Sequence, residues 1–106
     1  MRIILRKADE GGKVSVREVR ERLDELMGDR PYKVLREEEG QLFVTSGSMD
    51  LSFTDIEGEG VGVFVVWDWE EDEDSTYEIC KNWQELKEFV KWAIGIMEWG
   101  NPIVKS

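Results

Sequence analysis

The chain has 106 residues, of which 36% are charged and 41% are hydrophobic, and its formal net charge is −10 at pH 7. This length suits one folded domain, and the hydrophobic content excludes an intrinsically disordered chain. The acidic balance argues against direct binding of nucleic acid, because phosphates need Lys and Arg. We expect a single domain over residues 1–106.

The sequence predicts neither a membrane span nor a signal peptide. The longest apolar run, residues 61–67, is far shorter than the roughly 20 residues that cross a bilayer, and residues 1–12 lack a signal-peptide pattern. A lone cysteine, Cys80, excludes an internal disulfide and indicates a reducing compartment. We expect a cytoplasmic protein with a thermophile-like surface, since Glu, Lys and Arg are abundant while Asn and Gln are scarce.

The first predicted elements are a strand over residues 1–7 and an amphipathic helix over residues 15–29. Ser15 with Glu18 has the pattern of a capping box at the start of this helix, and Gly28 suits its end. One helical stripe collects the apolar side chains Val16, Val19, Leu23, Leu26 and Met27.

Five further strands are predicted from apolar and polar alternation and from the turn residues between them. In the segment 49–56 the apolar residues should face inward and Asp50, Ser52 and Thr54 should face solvent. The segment 61–69 is apolar on both faces up to Val66, which predicts an inner strand. The five segments are 32–37, 41–46, 49–56, 61–69 and 75–81.

The last predicted element is a helix that begins after Asn82 and ends at Gly100, with Asn82 and Glu85 in the pattern of a second capping box. Its core stripe comprises Leu86, Phe89, Val90, Ala93, Ile94 and Met97. The sequence therefore predicts an α+β fold with the element order β-α-β-β-β-β-β-α. We expect a mostly antiparallel sheet of five to six strands with two helices on one face.

The last helix has a second apolar face, formed by Trp92, Ile96 and Trp99 with Gly95 between them. A helix that is apolar on most of its circumference is buried or lies at an interface. This face predicts a homodimer contact, because aromatic residues are favoured there. The alternative is packing under the sheet edge or against residues 102–106. Self-association through this face defines the second functional hypothesis, a structural or accessory protein of a virus, plasmid or complex.

The sequence contains no histidine, which excludes Ser-His-Asp and Cys-His arrangements. Cys80 is interpreted as a small buried residue, because free cysteine is among the most buried types. Residues 58–62 are rich in glycine but lack the G-x-G-x-x-G spacing, and a strand follows them, so a turn is favoured over a phosphate loop. We expect no enzymatic activity and no cofactor. A small hydrolase that uses paired carboxylates is the third hypothesis.

The acids that follow Asp68 invite comparison with a calcium-binding loop. Counted from Asp68, the sixth position holds Glu73 where glycine is needed, and the twelfth holds Ile79 where glutamate is needed. One cysteine and no histidine also argue against a zinc site. We expect no dedicated metal site.

Charge is distributed unevenly along the chain. Residues 1–36 hold ten Lys and Arg against seven Asp and Glu, whereas residues 37–106 hold four Lys against seventeen acids. From Glu37 to Cys80 there are fourteen acids and no Lys or Arg. Repulsion of this kind destabilises a folded domain, and a positively charged partner is the simplest compensation. The alternative interpretation is solvated surface without a binding role.

The densest acidic segment also contains tryptophan. Six of the seven residues 68–74 are acids and the seventh is Trp69. The pattern predicts a hairpin with an acidic tip, in which Trp67 and Trp69 share one strand face and pair across with Tyr77 and Ile79. Packing is the favoured role of these aromatic residues, and a presented aromatic patch is the alternative.

These observations predict a non-enzymatic acidic binding protein whose sheet and hairpin face a basic protein surface. One such partner is a nucleic-acid-binding protein, in which case this chain is a nucleic-acid mimic, an inhibitor or an immunity-type protein. The alternative is a protein–protein adaptor with no inhibitory role. The predicted partner-binding residues are Asp50, Asp55, Glu57, Glu59, Asp68, Glu70, Glu71, Asp72, Glu73 and Asp74, with Glu37, Glu38 and Glu39 extending the surface.

Overall fold

The computed structural model describes residues 13–99, and the strand predicted over residues 1–7 lies outside them. The described part is an α+β fold, as predicted. Its elements in chain order are α1 (Val16–Glu21), α2 (Leu23–Met27), β1 (Lys33–Glu38), β2 (Gln41–Ser46), β3 (Met49–Ile56), β4 (Gly60–Asp68), β5 (Glu73–Cys80) and α3 (Trp83–Trp99).

The five strands form one sheet in the order β1-β2-β3-β4-β5, and each strand is antiparallel to its neighbours. This confirms the predicted antiparallel sheet, and β4 is an inner strand because β3 and β5 pair with its two sides. Consecutive short turns alternate between the two ends of such a sheet. The β1–β2 and β3–β4 turns therefore share one end, here called the groove end, and the β2–β3 and β4–β5 turns share the other, here called the hairpin end.

All three helices lie on the same face of the sheet. Helix α1 contacts β2 and β3, while α3 contacts β4 and β5. In β3 the side chains of Met49, Leu51 and Phe53 are buried against the helices, and the intervening polar residues point to the opposite face, as predicted. That opposite face, here called the open face, has no helix packed on it within residues 13–99.

The helix predicted over residues 15–29 is instead two short helices separated at Arg22, whose φ of −113° departs from helical geometry. At this break the Arg22 guanidinium lies 3.9 Å from the centre of the Trp83 ring. It also donates hydrogen bonds to Glu18 at 2.9 Å and to Glu25 at 3.1 Å. These contacts join both short helices to α3, and the predicted apolar stripe stays buried on both sides of the break.

Cys80 is buried at the end of β5, which confirms its interpretation as a core residue. Burial raises the pKa of its thiol to about 12, and the nearby carboxylates of Glu78 and Glu85 act in the same direction. Within residues 13–99, none of the helices combines the length and the hydropathy needed to cross a bilayer.

Candidate protein-binding surface

The acidic segment forms a tight turn between β4 and β5. The Trp69 backbone N–H donates to the Asp72 carbonyl at 2.8 Å, and the Glu73 N–H donates to the Asp72 carboxylate at 3.2 Å. Glu70 and Glu71 are therefore at the tip. We call the acids of this turn and its flanks the hairpin cluster: Asp68, Glu70, Glu71, Asp72, Glu73 and Asp74. The first five are exposed, and Asp74 is half-buried.

Tryptophan anchors this turn to the rest of the fold. Trp67 is only 3% exposed, and its indole N–H donates to the Ala93 carbonyl of α3 at 3.1 Å. Trp69 packs against the core, and its indole N–H donates to the Asp74 carboxylate at 3.0 Å. The Asp68 N–H donates to the Ser48 carbonyl of the β2–β3 turn at 2.8 Å. The turn that carries the carboxylates is thus anchored to the fold by two tryptophans that are themselves buried or half-buried.

The predicted pairing of Trp67 and Trp69 with Tyr77 and Ile79 is wrong. Trp67 lies opposite Asp74, whereas Tyr77 lies opposite Phe64. Trp67 continues the buried series of alternate residues in β4, so its large indole packs under α3 instead of on the open face. The packing role favoured for Trp67 is correct, although its partners are helical residues.

The structure divides the predicted partner-binding residues between the two ends of the sheet. Asp50 lies on the open face near the hairpin end, one residue into β3. The acids at the other end, here called the groove cluster, are separated from the hairpin cluster by the length of β3, roughly 25 Å. The groove cluster comprises Glu37, Glu38, Glu39, Asp55, Glu57 and Glu59.

Several groove-cluster acids take part in contacts within the protein. The Asp55 carboxylate accepts a hydrogen bond from the Val16 N–H, at the first residue of α1, at 2.8 Å. Glu37 pairs with Arg20 at 3.0 Å, and Glu38 pairs with Arg36 at 2.6 Å. Asp55 therefore supports the start of α1 and Glu37 joins β1 to α1, roles that local sequence patterns did not reveal because these contacts join residues 39 and 17 apart.

A groove of about 580 Å³ lies between α1 and the β1–β2 turn. Its walls combine Glu37, Glu38, Glu39 and Asp55 with the arginines Arg17 and Arg20. The groove is concave, as a hydrolase site would need, but its Glu37 and Asp55 carboxylates are engaged by Arg20 and by the start of α1. The two arginines partly neutralise the acids of this groove, which weakens its attraction for a cationic partner.

The hairpin end differs from the groove end in its ion pairs. The ion pairs within residues 13–99 involve none of the acids between Glu39 and Glu73. No group of three Asp, Glu, Cys or His side chains in that part of the chain converges to hold a metal ion. The exposed carboxylates therefore produce a negative field whose chemistry suits the attraction of a cationic surface.

The second apolar face of α3 is described as far as Ile96, and the side chain of Trp99 lies outside the described ones. Trp92 is 50% exposed. It meets Trp67 edge-on with 5.8 Å between ring centres and stacks on Phe89 at 5.6 Å. Ile96 is half-buried against the core. Among the described side chains of the predicted self-association face, Trp92 is the exposed one.

The open face carries three exposed apolar side chains, of which the sequence pattern pointed to Tyr77 and Ile79 but not to Phe64. Phe64 is 41% exposed, Tyr77 51% and Ile79 37%. The sequence does contain a signal for Phe64, because it alternates with the buried residues Val63 and Val65 of β4.

Comparison with protein-family models, with curated proteins and with solved structures finds no match for this chain. Inference about function therefore rests on the charges and contacts of the molecule itself.

Proposed function

We propose that this protein is a non-enzymatic, cytoplasmic binding protein that presents the hairpin cluster to a positively charged protein surface. The observation that supports this most strongly is the anchoring of exposed carboxylates on a turn held by Trp67 and Trp69. A fixed surface of one sign accelerates association with an oppositely charged partner, and salt weakens that acceleration.

The partner class that suits this surface best is a protein whose basic groove binds nucleic acid. We infer that the carboxylates of this anchored turn occupy such a groove in place of phosphates. The chain then acts as an inhibitor or an immunity-type protein. The absence of Lys and Arg between Glu37 and Cys80 supports this class, since no cation in that stretch opposes the attraction.

Affinity capture at low ionic strength tests the proposal with two matched triple variants. The hairpin triple is Glu70→Lys, Glu71→Lys and Glu73→Lys. The groove triple is Glu39→Lys, Glu57→Lys and Glu59→Lys, which makes the same charge change at exposed positions of the other end.

We expect the wild type and the groove triple to retain the same basic protein from an extract of the source cells and to release it in a salt gradient. The hairpin triple should lose it while keeping a wild-type unfolding midpoint in urea. If both triple variants retain the basic protein equally well, the hairpin cluster is not the binding surface.

Self-association is a second candidate function, because Trp92 leaves half of its surface exposed beside Phe89. Aromatic residues are favoured at such contacts. If α3 forms a homodimer, light scattering should report a dimer for the wild type and a monomer for Trp92→Ala. A wild type that is monomeric at high concentration would end this hypothesis.

A further inference from the structure

Aromatic residues line up across the open face. The strand registers place Arg36, Phe43, Ser52, Phe64 and Tyr77 opposite one another on the five successive strands. Phe64 and Tyr77 are the exposed members at the β4–β5 side of this row. No helix packs on this face within residues 13–99, so the row ends in two aromatic side chains that are open to a ligand.

Tyr77 lies across the sheet instead of pointing away from it. Gly62 on β4 has no side chain, and a Cβ atom there would come within 2.3 Å of the Tyr77 hydroxyl oxygen. The tyrosine therefore occupies the space above Gly62, while half of its surface stays exposed. Phe64 is its direct cross-strand neighbour and is also exposed, and we call these two residues the aromatic platform.

The protein already places one guanidinium on this row. The Arg36 guanidinium lies 5.4 Å from the centre of the Phe43 ring, within the range of a cation–π contact. Arg36 is on β1, at the far side of the row from Tyr77. The platform of Phe64 and Tyr77 has the same aromatic chemistry without a cation from β3, β4 or β5, since these strands contain no Lys or Arg.

Carboxylates surround the platform on its hairpin side. Asp50 is a diagonal neighbour of Phe64, at roughly 7–8 Å in an antiparallel pair. Glu73 lies on the same face of β5 as Tyr77, four residues away, which corresponds to roughly 13 Å along a strand. A cation on the platform is thus attracted by nearby carboxylates, and a second cation four residues along an extended chain reaches the hairpin cluster.

We propose that the open face binds an extended, arginine-bearing segment of the basic partner, with one guanidinium stacked on Phe64 and Tyr77 and the next paired with the hairpin cluster. The inference rests on the proposed function and adds a chemical preference to it. Arginine is selected over lysine, because a planar guanidinium stacks on aromatic rings and is more weakly hydrated than an ammonium group.

The test measures the binding of two labelled peptides to the full chain at low ionic strength by fluorescence anisotropy. One peptide carries Arg at every fourth position in a Ser and Gly background, and the other carries Lys at the same positions. We expect tighter binding of the Arg peptide. The double variant Phe64→Ala, Tyr77→Ala should weaken the Arg peptide by roughly 5- to 30-fold and leave the Lys peptide nearly unchanged.

The variant Gly62→Ala provides a second perturbation that keeps both aromatic residues, because its methyl group displaces the Tyr77 ring. Like the double variant, it should lower the preference for the Arg peptide over the Lys peptide. Equal affinity for the two peptides, an unchanged Arg preference in both variants, or no binding of either peptide would overturn the inference.

The hairpin triple separates this inference from the proposed function. If it weakens both peptides while the Arg preference survives, both proposals stand. If the hairpin triple leaves the affinity for both peptides unchanged while the aromatic variants still lower the affinity for the Arg peptide, the proposed function fails. The binding of arginine at the platform then stands on its own. If the wild-type protein instead self-associates through Phe64 and binds neither peptide, the proposal that the platform binds an arginine-bearing segment is wrong.

Discussion

The two ends of the sheet carry similar sets of acids in different surroundings. At the groove end, Asp55 holds the start of α1 and Glu37 pairs with Arg20. At the hairpin end, the tryptophans hold the turn and the carboxylates at its tip face water. Acidic residues that look equivalent in the sequence therefore have different effects on stability. Some of those at the groove end make contacts within the fold, whereas those at the tip of the hairpin repel one another.

This difference follows from what each end has beside it. The arginines of α1 lie against the groove cluster, so opposite charges meet there. The hairpin cluster is flanked by strands β3 to β5, which contain only acidic charges. Within residues 13–99, no ion pair offsets the repulsion among the five exposed acids of the hairpin cluster, and this is the reason for proposing an external cation.

The largest expected effect concerns the anchor of the hairpin end. Trp67→Ala removes a buried indole together with its hydrogen bond to the Ala93 carbonyl. We expect a loss of about 3–5 kcal/mol in unfolding free energy, measured by urea denaturation. The control is Phe64→Ala on the opposite face of β4, which should cost much less because that ring is exposed. Similar losses for both variants would contradict the anchoring role.

The next prediction concerns Cys80, which pairs with Val61 at the groove end of the sheet, and tests whether its thiol stays buried there. Because the pKa of the buried Cys80 thiol is raised to about 12, its thiolate is scarce near neutral pH. Alkylation at pH 7.5 should be roughly a thousandfold slower than in the urea-unfolded chain, whose thiol has a pKa of about 8.5.

The same shift makes stability depend on pH. The folded state prefers the protonated Cys80 thiol, so this contribution is complete below about pH 8.5 and is lost as the pH rises toward 12. The Cys80→Ala variant should show a weaker decline in urea midpoint over that range. Rapid alkylation of the folded protein at pH 7.5 would show that this end opens readily.

A smaller effect compares two acids of the groove end. Asp55→Ala removes the acceptor for the Val16 N–H and should cost about 1 kcal/mol, in the range of a lost helix cap. The matched variant Glu57→Ala, two residues on in the exposed turn, should change stability by less than about 0.5 kcal/mol. Equal losses of stability in the two variants would mean that the hydrogen bond from the Val16 N–H to Asp55 does not stabilise the start of α1.

The smallest effect concerns repulsion at the hairpin end. Glu70→Gln with Glu71→Gln should raise stability by a few tenths of a kcal/mol, about the size of a surface charge interaction, and only at low ionic strength. The comparison is Glu37→Gln, which breaks the pair with Arg20 and should lower stability slightly under the same conditions.

Sequence reasoning performed well where local patterns decide. The alternation in residues 49–56 correctly assigned the buried face of β3, and four strands begin within one residue of the predicted positions. The fifth, β5, begins at Glu73 instead of residue 75. The acidic turn is correspondingly shorter than predicted, because Asp68 and Glu73 still pair across the strands.

Features set by distant contacts could not be predicted in this way. At the helix break Arg22 contacts Trp83 of α3, and Asp55 contacts the Val16 N–H, both over long distances in sequence. The position of Trp67 under α3 depends on how helix and sheet are packed. The separation of the acids into two ends was accessible in principle, since alternate turns of an antiparallel sheet lie at opposite ends.

The most direct test of the central claim is the association rate constant with the captured basic partner, measured by stopped flow from low to high ionic strength. For the wild type and the groove triple, we predict fast association that slows steeply with salt. The hairpin triple should associate at least tenfold more slowly at low salt and respond little to added salt. A hairpin triple that associates as fast as the wild type at low ionic strength would contradict the account.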